Sequence, residues 1–222
     1  MPSEVLVFDM DGVLVDVHES YRETIRQTVR HFTGREASHE HIQDLKNAGG
    51  LNNDWALSQK IVRDFGVDAD YDTVVAYFQS VLLGEGGFMS RERWVPRPGL
   101  LEALGRRFRL AIFTGRLREE ARLTLDRFAR EIVFDPVIGT DDIDNGKPAP
   151  DGLFKIAALV NGARLRYVGD TVDDARCARA AAVPFIGIAA QSNPRRAELA
   201  RLLRAEGALA VLEDVNGLEE AL

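Results

Sequence analysis

Two aspartates, Asp9 and Asp11, close the apolar run "VLVF" and stand one residue apart. Burying a carboxylate costs free energy unless something positive compensates it. Other polar groups stand just beyond apolar runs: Thr114 after "LAIF", and Asp170 after "RYVG", with Asp174 one helical turn later. Lys147 lies in the loop "NGKPAPD". Three or four carboxylates can share a small volume only around a cation, and hard oxygen ligands with no His or Cys cluster nearby select Mg²⁺. One carboxylate that does not need the charge of the cation can act as a nucleophile, and aspartates that form an aspartyl-phosphate are a known solution. Thr114 and Lys147 would then hold phosphoryl oxygens with donors and a positive charge.

These groups meet only if the elements carrying them end at one place. Residues 5–8, 110–113, 137–138, 166–168, 185–188 and 210–212 are short, continuously apolar runs, the pattern of fully buried strands. Helical spacing lies between them, as in Leu100, Leu101, Leu104 and Phe108, in Leu153, Phe154, Ala157 and Val160, and in Leu199, Leu202 and Leu203. Strands alternating with helices after residue 96 predict an α/β fold: a Rossmann-like parallel sheet covered on both faces. Such sheets bind ligands at the C-terminal ends of their strands.

Residues 16–95 break that rhythm. Asp16 and Glu19 resemble a capping box. Tyr21, Ile25, Val29 and Phe32 then recur at helical spacing, and Gly34 is a stop signal. Further helices are expected over 38–48, 54–65 and 71–83, with no strand, and "WVPRPG" at 94–99 reads as a linker. The expected organisation is a core of residues 1–15 and 96–222 interrupted by an α-helical insert of residues 16–95.

Composition narrows the function classes. A chain of 222 residues, 45% of them hydrophobic, can fill one sizeable core with a smaller appendage. A net charge of −7 argues against a nucleic-acid or anionic-membrane partner. The single cysteine, Cys177, forms no intrachain disulfide and reads as a small core residue, which fits a reducing cytoplasm. The start of the chain does not read as a secretory signal, and no stretch is long and apolar enough to span a bilayer. No feature marks an oligomeric state.

"DMDGVLVD", "FTGR", "GKPAP" and "GDTVDD" together resemble the four motifs of the haloacid dehalogenase superfamily, in order and with suitable spacing. The resemblance implies a phosphatase acting on a small phosphate monoester, of a phosphoglycolate phosphatase-like subgroup. It makes Asp9 the nucleophile and Asp11 the general acid and base. The carboxylates of Asp9 and Asp170 and the backbone carbonyl of Asp11 would hold Mg²⁺, with Asp174 contributing directly or through water. Thr114, its neighbour Gly115 and Lys147 match the phosphate-binding positions. The insert resembles the cap that closes over the substrate. "FTGR" departs from the commoner Ser/Thr-Asn ending, which leaves Arg116 without an assigned role.

A narrower resemblance, carried by "DVHESYRETIRQTVRHFTG" and "KNAGGLNNDWALS", points to a subset that includes members linked to histidine biosynthesis as histidinol-phosphatases. A phosphomutase using the same aspartyl-phosphate is a rival, though no feature demands that the insert hold a sugar phosphate for a second attack. A phosphonoacetaldehyde hydrolase could use Lys46 as a Schiff base, but an acid at Asp11 argues against it. A phosphate-ligand sensor without turnover is disfavoured by the complete acid, nucleophile and phosphate set.

Selectivity is expected in the insert, where "GGLNNDW" before a helix makes a loop that can approach a ligand. Asn52 and Asn53, with Lys46 and Arg22, are the candidate substrate contacts. Asn53 or Asp54 could equally serve as a helix N-cap, and Lys46 and Arg22 as surface charges. The four histidines, His18, His31, His39 and His41, read as surface or packing residues of the insert, with His18 able to face the site. Asp173 reads as a solvated helix-start acid, and Arg195, Arg196, Arg201 and Arg204 as the wet face of a helix.

Overall fold

The computed structural model describes residues 4–222. Strand β1 (Glu4–Phe8) leads into a two-residue strand, β2 (Val15–Asp16). Four helices follow: α1 (Tyr21–Thr33), α2 (His39–Ala48), α3 (Asp54–Asp64) and α4 (Tyr71–Leu83). The chain returns through β3 (Arg93–Trp94) and α5 (Leu100–Gly105). It then alternates: β4 (Arg109–Phe113), α6 (Arg118–Phe128), β5 (Phe134–Ile138), α7 (Asp151–Leu159), β6 (Arg164–Gly169), α8 (Val172–Ala180), β7 (Phe185–Ile188), α9 (Arg196–Ala205), β8 (Ala210–Leu212) and α10 (Leu218–Ala221).

Six strands form one parallel sheet in the order β5-β4-β1-β6-β7-β8. The chain winds outward from β1 in both directions, so the switch point lies at the end of β1. Successive side chains on a strand face opposite ways. Val5 and Val7 pack with Leu153, Ile156, Cys177 and Leu203 on one face, and Leu6 and Phe8 with Leu100, Leu104, Ala121 and Leu218 on the other. Both faces are covered, which is why β1 is apolar from Val5 to Phe8. The helical insert has its own core, with Ile25, Val29, Leu57, Ile61 and Phe78 fully buried. Among the described residues no helix is long and apolar enough to cross a membrane.

Three details correct the sequence reading. The Asp16–Glu19 capping box does not form. Val15 and Asp16 pair antiparallel with Trp94 and Arg93, Asp16 accepts from the His18 N–H at 3.0 Å, and α1 begins only after Ser20. Consequently the insert opens and closes on a short β ribbon where no strand was expected, because two residues are too few to show alternation. Asp173 is buried, not solvated: its carboxylate accepts from the Gly50 N–H at 2.9 Å, tying α8 to the insert. Arg195 stays on the wet face, where it forms a solvent-exposed pair with Asp44 of α2 at 2.6 Å.

Candidate active site

The site begins where the sheet ladder stops. Phe8 of β1 pairs with Ile112 of β4 and Val168 of β6, so Asp9, Thr114 and Asp170 emerge side by side beyond that register. The ladder continues one bond further on each side, Asp9 N–H to Val168 O and Thr114 N–H to Ile138 O. This fixes the backbone of both residues before their side chains are considered.

Asp9 is 4% exposed. Its Oδ1 accepts from the Met10 N–H at 2.7 Å and lies 3.0 Å from Lys147 Nζ. Lys147 is also 2.8 Å from Asp174 Oδ1. Asp174 has further donors: Tyr167 OH at 2.6 Å on Oδ1, and the Thr171 N–H and hydroxyl on Oδ2 at 3.0 and 2.6 Å. The Thr171–Asp174 pair is the capping box of α8, which anchors Asp174 to the helix start.

The two acids that share Lys147 are pushed opposite ways. Burial drives the Asp9 carboxyl up to about 7, against the pull of Lys147, and Asp174 and Asp11 add to the rise. Burial acts on Asp174 too, but Lys147, Thr171 and Tyr167 together hold it below the usual carboxylate range. The half-buried Asp170 has no ion pair among the described residues, and burial, then the charges of Asp174 and Asp9, drives it well up.

Asp9, Asp170 and Asp174 can each present one carboxylate oxygen such that all three lie within 4.8 Å of one another. One ammonium stands against these three acids, so the ionised cluster is short of positive charge. An all-oxygen donor set with that deficit fits a hard divalent cation. The backbone is shaped for the same cluster. Gly12 has φ +72°, and a Cβ there would lie 2.0 Å from Asp170 Oδ2.

A cavity of about 50 Å³ opens on these groups, lined by Asp9, Asp11, Gly115, Arg116 and Asp170 from the α/β domain. Tyr21, Arg22, Lys46, Asn52, Asn53 and Trp55 line it from the insert. The cavity thus brings Asp9, Asp11, Gly115 and Asp170 together with the candidate insert residues, while Thr114, Lys147 and Asp174 are buried and do not line it. A larger cavity of about 450 Å³ shares Val17, Arg22 and Asp170 and is bounded by the stacked imidazoles of His18 and His39, but it touches neither Asp9 nor Asp11. Of the two cavities, the small one is the one that reaches Asp9 and Asp11.

The insert residues divide by what else they do. Lys46 pairs with Asp54 at 2.6 Å, and Arg22 donates to Gln43 at 2.8 Å. Asn53 is the N-cap of α3, its Oδ1 accepting from the N–H groups of Trp55 and Ala56. Asn52 reaches across instead, its Nδ2 being 2.8 Å from where a Cβ on Gly115 would sit. Different outcomes are therefore expected. Asn53→Ala should cost about 1 kcal/mol of stability through the lost cap, a fall in Tm of roughly 2–4 °C, with selectivity kept. Asn52→Ala should leave Tm unchanged and lower kcat/KM for the physiological ester about 10- to 1000-fold, with an aryl phosphate little affected. Equal losses on both esters in Asn52→Ala would show that the loop is structural.

Sequence reasoning missed Glu92, Thr124, Glu120 and Tyr167. Tyr167 carried a weak signal, a hydroxyl beside Val168 and Gly169 at the apolar end of its strand. Glu92 and Thr124 carried none, since their burial depends on contacts with Arg116 made across the fold.

A family model described as haloacid dehalogenase-like hydrolase matches residues 4–182. A Phytophthora nicotianae protein named imidazoleglycerol-phosphate dehydratase is 36% identical over 199 residues, covering 84% of this chain and 43% of that protein. The chain therefore spans less than half the length of that relative. A phosphoglycolate phosphatase of Rhodobacter capsulatus is 24% identical, with 82% of each chain covered. A hydrolase from Pseudomonas syringae superposes with a TM-score of 0.73 at 18% identity, over 98% of this chain and 97% of its own.

Proposed function

This chain belongs to the haloacid dehalogenase-like hydrolases and is a phosphatase of that family, and we propose that it hydrolyses a small phosphate monoester through an aspartyl-phosphate on Asp9. The observation that supports this best is the cluster of Asp9, half-buried Asp170 and Asp174 with Lys147 against two of its members. In the proposed first step an Asp9 oxygen forms a bond to phosphorus, the bond from phosphorus to the ester oxygen breaks, and Asp11 gives that oxygen its proton. In the second step a water oxygen attacks phosphorus and passes a proton to Asp11. The bond from Asp9 to phosphorus then breaks and inorganic phosphate leaves. Thr114, Gly115 and Lys147 would hold the phosphoryl oxygens throughout.

Asp9, Asp170 and the Asp11 carbonyl would hold Mg²⁺, with Asp174 contributing directly or through water while it keeps Lys147 and the start of α8 in place. When bound, the cation neutralises charge on the phosphoryl oxygens. Residues 16–95 would act as the cap, excluding water and contacting the leaving portion. Chelation should abolish turnover and Mg²⁺ should restore it, while Ca²⁺, with its looser coordination, should inhibit. Full activity in excess chelator, measured as phosphate release, would remove the metal from the scheme.

The substrate has two candidate classes. Similarity to a phosphoglycolate phosphatase favours a small phosphorylated acid. Similarity to part of a protein named for imidazoleglycerol phosphate favours a phosphate ester bearing an imidazole, with a histidinol-phosphatase-type role. A panel containing phosphoglycolate, histidinol phosphate and sugar phosphates separates them by kcat/KM.

A further inference from the structure

Arg116 is buried, with its side chain 0% exposed. Its guanidinium grips Asp11: both Nε, at 2.8 Å, and Nη2 donate to Oδ1. Nη2 also lies 2.7 Å from Glu92 Oε1, and Nη1 donates to Thr124 Oγ1 at 2.8 Å. The Thr124 hydroxyl donates in turn to Glu92 Oε2 at 2.8 Å, which closes a ring of polar contacts. The Tyr21 ring covers the guanidinium, with Cζ 4.5 Å from its centroid. Tyr21 OH donates to Glu120, which also accepts from Gln79 Nε2 at 2.7 Å.

These partners come from three parts of the chain. Thr124 and Glu120 lie on α6 of the α/β domain, Tyr21 and Gln79 on α1 and α4 of the insert, and Glu92 just ahead of the returning strand β3. A guanidinium bonded at all three nitrogens has a fixed plane. Asp11, by contrast, is 29% exposed in its side chain and has room to turn. Among the described residues no hydrogen bond reaches Asp11 Oδ2. A buried Arg–carboxylate cluster is not favoured over apolar packing on energy alone, because desolvation offsets much of the attraction. A role in fixing geometry accounts for its presence.

We infer that Arg116 is a positioning residue: it holds Asp11 by Oδ1, presents Oδ2 for proton transfer, and is itself held in that pose by Tyr21 of the seated insert and by Glu92. This rests on the reading of Asp11 as the acid and base of the two-step reaction. Losing Arg116 then harms only the steps in which Asp11 moves a proton. With p-nitrophenyl phosphate the first step needs no proton, since the leaving phenolate is stable unprotonated. The second step, in which Asp11 takes a proton from water, still needs it.

The test uses the Arg116→Gln/Glu92→Gln double variant, which leaves no unpaired Glu92 carboxylate in the interior, and Arg116→Lys, which keeps the charge and loses the fork. For p-nitrophenyl phosphate, kcat is expected to fall about 100-fold in the double variant, the scale of general acid–base help. KM should fall with it, so that kcat/KM stays within about threefold and phosphate accumulates on Asp9. Arg116→Lys should fall less in the same pattern, and it carries the test alone if the double variant does not fold. A parallel fall in kcat/KM would mark damage to the whole site and overturn the inference, as would an unchanged kcat. A wild-type protein that never carries phosphate on Asp9 would instead overturn the reading beneath it.

Discussion

In Asp9→Asn, turnover of every phosphate ester should fall by at least about 10⁴-fold, the scale of losing one member of a catalytic unit, while the chain stays folded. An amide cannot attack phosphorus, and none of the other acids is assigned to replace it. The folded state is not expected to suffer, and the sign follows from burial. Because burial lifts Asp9 to about 7, the folded chain keeps a proton that the unfolded chain releases near its ordinary value of 3.8. Stability associated with Asp9 is thus full below about pH 4 and is lost as pH rises through 7. Removing that ionisation should leave the metal-free Tm at pH 8 equal to the wild type or higher. Residual turnover within tenfold of wild type would place the nucleophile elsewhere, and a collapse in Tm would mean that Asp9 is structural first.

Lys147→Met should have the largest effect on stability. It removes the single ammonium shared by Asp9 and Asp174 and leaves both acids in the interior. Breaking a buried pair in this way costs about 3–5 kcal/mol, or a fall in Tm of roughly 10 °C for a chain of this size. The loss should depend on pH. In the wild type, with Asp174 held below its ordinary value, its contribution is present above about pH 4 and lost as pH falls through the lower folded value. In the variant both acids are easier to protonate, so the gap in Tm should be widest near pH 8 and narrow on acidification. Metal-free thermal melts at several pH values check this. Equal Tm values at pH 8 would show that Lys147 does not compensate the acids. Turnover should fall as well, since the phosphoryl group loses its ammonium.

The sheet was legible because its inner strands are simple. β1 from Val5 and β4 from Leu110 are apolar at every position and a polar residue follows each, so strand and site could be read together, while β6 carries Arg164 and Arg166 and is apolar only near its end before Asp170. β5 was only half legible, because Asp135 and Pro136 break its apolar run, and the strand is longer than residues 137–138. The acid pair at 173 and 174 shows where local reading stops. Asp174 could be placed by helical spacing, whereas Asp173 owes its burial to Gly50, 123 residues away in sequence. The same holds for Arg116. Its place in a motif was visible, but its meaning lies in Glu92, Thr124 and Tyr21, which reach it only in the folded chain. The loop at Asn52 and Asn53 was readable both as a ligand contact and as a cap, and the fold decides the cap, which Asn53 provides.

The β2–β3 ribbon has a consequence for how such a protein can change over time. Val15 and Trp94 face each other across it, so residues 17 to 92 leave and rejoin the α/β domain at neighbouring points. To the sheet, this long excursion is a hairpin whose tip has been enlarged. Closing a longer loop adds only about 0.6 kcal/mol per doubling of length. The excursion also fills its own apolar core. It can therefore be lengthened, shortened or exchanged for another helical module with little cost to the sheet that carries Asp9 and Lys147. The helical half of the molecule can drift while the sheet half stays fixed. Arg116 sets the limit on that freedom, because any replacement module must still offer something to cover its guanidinium.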